Sequence, residues 1–198
     1  MSHFRRVWLL ALVSVVGCSS DEPKAPSQDV KSVAPQAASG ADPGKRPAGA
    51  KESSLAWTAP ATFEPATNPS AMRLATYKVK PVEGDTEGAE LSVSQAGGDV
   101  TSNVERWKKQ FTGEPRSNVE ERTVGALKVT VVTVEGTFTG MAMPGGPPAG
   151  PKDSWMMLGA IVEGAKGDPH FFKLTGPAKT VESARKAFDE LIASFAPR

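Results

Sequence analysis

Leu127 to Phe138 reads LKVTVVTVEGTF, and this β-branched run decides the fold. Branching at Cβ restricts χ1 in a helix and suits a pleated surface, so the stretch is expected to be a long strand. Leu127, Val129 and Val131 share one parity, whereas Val132 and Val134 take the other. Either both faces of the strand are covered, or a bulge shifts its register there. Downstream, Trp155 to Val162 (WMMLGAIV) is apolar on both parities and reads as a central strand. Gly164 to Pro169 turns the chain, and His170 to Thr175 pairs back.

Upstream the same period of two recurs. Met72, Leu74 and Thr76 alternate with Arg73, Ala75, Tyr77 and Val79. An acidic turn follows with Glu83, Asp85 and Glu87, and Ala89 to Gln95 returns with Leu91 and Val93 inward, which makes a hairpin. Trp57 to Pro60 reads as a short first strand closed by proline, with Phe63 in a second fragment, and Asn118 to Thr123 as a polar strand. Val104, Trp107 and Phe111 recur at helical spacing, with Thr101 or Ser102 as the cap and Gly113 and Pro115 as the stop. A closing helix carries Val181, Ala184, Phe188, Leu191, Ile192 and Phe195 as one apolar stripe. Thr180 is its expected cap, with Glu182 in the first turn. Hairpins with two helices inserted or appended predict an α+β sandwich, a mainly antiparallel sheet packed with two helices.

Composition divides the chain before this domain begins. Residues 1–17 have Arg5 and Arg6 followed by an apolar run from Val7 to Val16, the pattern of a secretion signal. That run would rise only about 15 Å as a helix against roughly 30 Å of hydrocarbon, too short for a comfortable span. Val15-Val16-Gly17-Cys18 resembles the bacterial lipobox, which implies cleavage before Cys18 and a thioether-linked diacylglycerol on its sulfur. Arg5-Arg6 also fits export by the twin-arginine route, but the surrounding residues lack the polar character of that signal, and ordinary export is expected. From 18 to 54 the chain is rich in Pro, Ala, Ser and Gly and has no aromatic residue, so it cannot bury enough apolar surface to offset ordering entropy. It is expected to be a disordered tether of roughly 30–36 Å mean reach, holding a domain at 55–198 off the membrane. Ser19 is not the Asp that resembles an inner-membrane retention signal, so the outer membrane, facing periplasm or surface, is the expected destination.

The formal charge is +1, and removing Arg5 and Arg6 with the signal leaves the mature chain near −1. No basic run survives to suggest nucleic acid. The single cysteine, if lipidated, leaves no disulfide and no thiolate ligand, so stability rests on packing. One histidine outside the signal, His170, is too few for a zinc site, and no metal or cofactor is expected.

Trp57-Thr58-Ala59-Pro60, NVERWKKQF at 103–111 and FFKLTGP at 171–177 together resemble uncharacterised bacterial lipoproteins whose domain is similar to the PsbP-like α/β/α sandwich. The resemblance covers about Leu55 to Arg198. It implies an accessory or binding role rather than an enzyme, and it supplies no catalytic residues to carry over.

No residue pattern in the sequence stands out as a catalytic motif. Ser154, Asp168 and His170 are the residues of a conceivable hydrolase working on envelope polymers, but Ser154 is not in a GxSxG elbow and Asp168-Pro169-His170 reads as a turn entering a strand. Glu120 and Glu121 are adjacent on a strand and point to opposite faces, not across a cleft. Gly97 and Gly98 precede a helix but lack a phosphate-binding motif. Trp107 matches the spacing of Val104 and Phe111 and reads as structural, with Arg106 at the surface. The Gly140 to Pro151 loop, GMAMPGGPPAGP, is the first candidate interaction surface, through Met141, Met143, Pro144, Gly145 and Gly146. The expected partners are the membrane, through lipid on Cys18, and an envelope protein.

Overall fold

The computed structural model describes residues 53–140 and 150–198. The expected signal, Cys18, the tether up to Glu52 and the loop residues Met141, Met143, Pro144, Gly145 and Gly146 lie outside the described residues.

The strand elements are β1 (Leu55–Ala56), β2 (Glu64–Ala66), β3 (Arg73–Val79), β4 (Ala89–Gln95), β5 (Phe111–Val124), β6 (Leu127–Phe138), β7 (Lys152–Glu163), β8 (His170–Pro177) and β9 (Ala196–Pro197). The helices are α1 (Val100–Lys108), α2 (Ala178–Ser183) and α3 (Arg185–Ala193). Seven strands form one antiparallel sheet in the order β2-β3-β4-β8-β7-β6-β5, and β1 pairs with β9 in a separate ribbon. The class is α+β with a mainly antiparallel sheet.

Both faces of the sheet are covered, by different helices. On β7, Leu158, Ala160 and Val162 join Phe188, Leu191 and Ile192 of α3 in one core. Met157 and Ile161, of the opposite parity, join Val104 and Trp107 of α1 in a second. This resolves the parity change in β6: Val129 and Val131 pack with the α2–α3 side, Val132 and Val134 with the α1 side. The β6–β7 register runs unbroken from Lys128↔Glu163 to Gly136↔Trp155, so no bulge lies there. Trp107 is structural, 5% exposed and edge-on to Phe171 at 6.0 Å. It also needs Gly159, where an added Cβ would stand 2.2 Å from its ring.

Several local expectations are corrected. Trp57 to Pro60 is not a strand; the pairing residues are Leu55 and Ala56, and Trp57 turns inward, donating its indole N–H to the Tyr77 hydroxyl at 3.0 Å. Met72 lies outside β3 and is 79% exposed, because a register shift between Arg73 and Ala75 breaks the alternation there. Asp99, not Thr101 or Ser102, caps α1, its carboxylate accepting from the Ser102 N–H at 2.8 Å. Gly113 and Pro115 do not stop that helix, which ends at Lys108; they sit in β5, where the register shifts between Thr112 and Arg116.

The closing helix is two pieces, α2 and α3, meeting at Ala184, so among the described residues three helical segments replace the two expected. Thr180 lies inside α2, and the capping group comes from elsewhere in the chain. Asp85, in the β3–β4 turn, accepts from the Thr180 N–H at 3.0 Å and its hydroxyl at 2.6 Å. Glu182 is near the end of α2, paired with Arg185 at 2.8 Å. Ser53 and Ser54 pack with the domain: Ser53 is buried against His170, and the Ser54 carbonyl accepts from the Arg198 N–H at 2.8 Å.

Candidate functional site

α1 covers only part of its sheet face. Beyond its edge, the outward parity of β3, β4 and β8 forms the floor of an open groove of about 700 Å³. Lys173 and Thr175 of β8, Glu90 and Ser92 of β4 and Arg73 and Lys78 of β3 line it, and Phe138 and Trp155 form one wall. Antiparallel pairing sets these neighbours, with Ser92 opposite Lys173 and Glu90 opposite Thr175.

The aromatic wall is a stack, Phe138 on Trp155 with centroids 5.3 Å apart and planes 11° from parallel. Phe138 also meets Phe111 at 5.2 Å, which ties the wall to the core under α1. Lys152 reaches over the Trp155 ring, 4.4 Å from its centroid, and pairs with Glu87 at 2.6 Å.

Charge in the groove is unevenly matched. Glu90 accepts from Arg73 on one oxygen and Lys78 on the other, each at 2.6 Å. Burial pushes the Glu90 carboxyl up, but Lys78 and Arg73 together outweigh it and hold the group below its ordinary value. Lys173 bonds the side-chain amide oxygen of Gln110, and its ammonium lies 5.7 Å from the Phe138 centroid. Burial first, then Arg106 and Arg73, pull its pKa down to about 8. The Thr175 hydroxyl is buried without a hydrogen-bond partner among the described residues.

The residues considered for catalysis are not gathered. His170 is 0% exposed; its Nε2 meets the Ser53 hydroxyl at 2.8 Å and its Nδ1 has no partner among the described residues. Burial lowers its pKa below 6.5. Asp168 lies in the turn before β8, its backbone carbonyl accepting from Gln95 at 2.9 Å. Ser154 is at the far end of β7: His170 pairs opposite Val162, eight residues further along, or about 26 Å at strand rise. Glu120 bonds Asn118 and Arg122, while Glu121 pairs with Lys128, both on the exposed strand β5. Arg106 bonds Asn103 on its own helix.

Among the described residues, no three His, Cys, Asp or Glu side chains come together to hold a metal ion. Nor is any helix among them long and apolar enough to cross a membrane.

Lys173 belongs to no recognised chemical motif in the sequence. The signal was the alternation within FFKLTGP: Phe172 and Leu174 take one parity, Phe171, Lys173 and Thr175 the other. A lysine among apolar residues of a strand flanked on both sides marks a face whose cover stops.

No protein-family model and no curated protein matches the chain. Among solved structures, the solution structure of cyanobacterial PsbP (CyanoP) from Synechocystis sp. PCC 6803 is similar at 13% identity. The match covers 73% of this chain and 87% of that one, with a TM-score of 0.45.

Proposed function

We propose that this chain is a lipid-anchored protein of the bacterial cell envelope whose folded domain is a non-enzymatic binding module. Cys18, preceded by Val15-Val16-Gly17, is the anchor, and the outer membrane is its destination. Acylation at one cysteine with more than one chain makes attachment effectively permanent, whereas a single chain binds reversibly. A PsbP-like sandwich within a lipoprotein family is the finer reading, supported by the NVERWKKQF and FFKLTGP strings. The observation that carries the binding role is the open groove over β3, β4 and β8, with its aromatic wall and its lysine lacking a carboxylate partner. A hydrolase centred on Asp168 and His170 has less behind it, because the His170 ring is enclosed and its hydroxyl neighbour Ser53 is buried with it.

Two measurements on the full chain test this. Labelled palmitate is expected in the wild type and absent from Cys18→Ala; equal labelling of both overturns the anchor. A photo-crosslinking side chain at Ser92 is expected to give a defined adduct in cells that one at Lys186, on α3, does not. Equal capture at the two positions overturns the groove as the binding surface.

A further inference from the structure

The groove holds more positive charge than its carboxylates neutralise. Glu90 pairs with Arg73 through one oxygen and with Lys78 through the other, and Lys173 is not among its ion-pair partners. Lys80 and Lys152 are matched, by Glu64 and Glu87 at 2.6 Å each. Among the described residues, Lys173 is the one lysine lining the groove whose partner is neutral, the side-chain amide of Gln110. The charges acting most on it are Arg106 from α1 and Arg73 from β3, both of its own sign. An ammonium has three donors, and sequestering it without a counter-ion is unfavourable unless something supplies the opposite charge. Two residues on, along the same face of β8, the buried Thr175 hydroxyl has no hydrogen-bond partner among the described residues. Beside both stands the Phe138–Trp155 wall, which is apolar and partly exposed.

We infer that this groove binds a small organic anion, its acid group set against Lys173 and Thr175 and its apolar body against Phe138 and Trp155. The inference rests on the binding-module reading and names the chemistry of the ligand. A volume of about 700 Å³ falls within the range of small-molecule sites, roughly 300–1,000 Å³, and favours a free small molecule over a protein surface.

The probe is 2-naphthoate, titrated into the full-length chain at pH 7 by calorimetry and by amide chemical shifts. Saturable binding is expected with a Kd of about 1 mM or tighter. Affinity is expected to fall about tenfold or more in Lys173→Met and in Trp155→Ala, and to stay unchanged in Lys186→Met on the exposed side of α3. Naphthalene-2-carboxamide, which lacks the charge, and inorganic phosphate, which lacks the ring, are each expected to bind about tenfold more weakly or worse. Shifts in the wild type are expected to centre on Lys173, Thr175 and Trp155, which keeps the site testable should a variant fail to fold.

No saturation with 2-naphthoate, equal binding of the carboxamide or of phosphate, or shifts centred elsewhere overturns the inference. So does indifference to a folded Lys173→Met variant, or a preference for an Asp/Glu-rich peptide over 2-naphthoate. If any of these occurs while the Ser92 crosslinker still captures a specific adduct, the ligand chemistry falls and the binding module stands. If the Ser92 crosslinker also captures nothing specific, both fall.

Discussion

Two halves of one sheet face are made from neighbouring strands and end in opposite characters. Under α1, strands β6, β7 and β8 present Val132, Val134, Met157, Ile161 and Phe171 to Trp107. Past the edge of that helix, β8 and β4 present Lys173, Thr175, Glu90 and Ser92 to an open groove. Strand β8 makes the change within two residues, from Phe171 at 5% exposure to Lys173 with its polar neighbours. The opposite face of the same strand, Phe172 and Leu174, stays in the main core throughout. Coverage by a nine-residue helix, and not strand pairing, therefore decides which side chains are packed in a core and which face the groove.

Breaking the covered half carries the largest cost. Trp107→Ala is expected to destabilise by about 4 kcal/mol in a urea titration, because it empties the space between α1 and the sheet. Gly159→Ala forces the ring aside and is expected to cost about 2 kcal/mol alone, and markedly less in a Trp107→Ala background. A Gly159→Ala cost that Trp107→Ala leaves unchanged would separate the two residues and undo the account of the cover.

The open half is expected to answer to pH instead. Lys173 has a folded pKa of about 8 against an ordinary 10.5, so between those values the unfolded chain holds the extra proton and stability rises with pH. The penalty is full below about 8 and is relieved toward 10.5. Measured as the difference between wild type and Lys173→Met, the gain from pH 7 to pH 10 is expected to be roughly 2 kcal/mol. A flat difference would place the ammonium in open water.

A smaller effect comes from the core end of β8. Ser53→Ala is expected to cost about 1 kcal/mol by leaving the buried His170 without its hydroxyl partner. Burial holds the imidazole below 6.5, so the unfolded chain gains a proton as pH falls through that value while the folded chain resists. Stability is expected to fall on that side of neutrality, with a slope that His170→Gln lacks. The smallest change is at the edge where β5, β6 and β7 shift register. Glu114 and Ser154 have φ of 57° and 55°, and exchange of either for glycine is expected to raise thermal stability, by about 0.5–1 kcal/mol.

The repeating elements were legible because burial on alternate faces writes itself into residue order. Ala89 to Gln95 reads as a strand with Leu91 and Val93 inward, and both are 0% exposed. Val181, Ala184, Phe188, Leu191, Ile192 and Phe195 are all buried, although the helix they mark is broken at Ala184. Interactions between distant residues were not legible. Thr180 has the composition of a cap, but its fate depends on Asp85, 95 positions away. Ser53 has the composition of a tether, but its hydroxyl finds His170 across 117 positions. The groove was hidden for the same reason: Lys173 is read as a strand residue until the edge of α1 is known. Its parity partners Phe171 and Thr175 carried the hint, one apolar and one polar.

The β1–β9 ribbon sets Leu55 opposite Pro197 and so places the segments around Ser53 and Arg198 side by side. A short peptide joining Arg198 to Ser53 would close the domain into a ring, which could be reopened at the β5–β6 turn around Gly125, where nothing crowds the backbone. Such a circularly permuted domain should keep the sheet order and the groove, with its two new chain ends at the β5–β6 turn instead of at the β1–β9 ribbon.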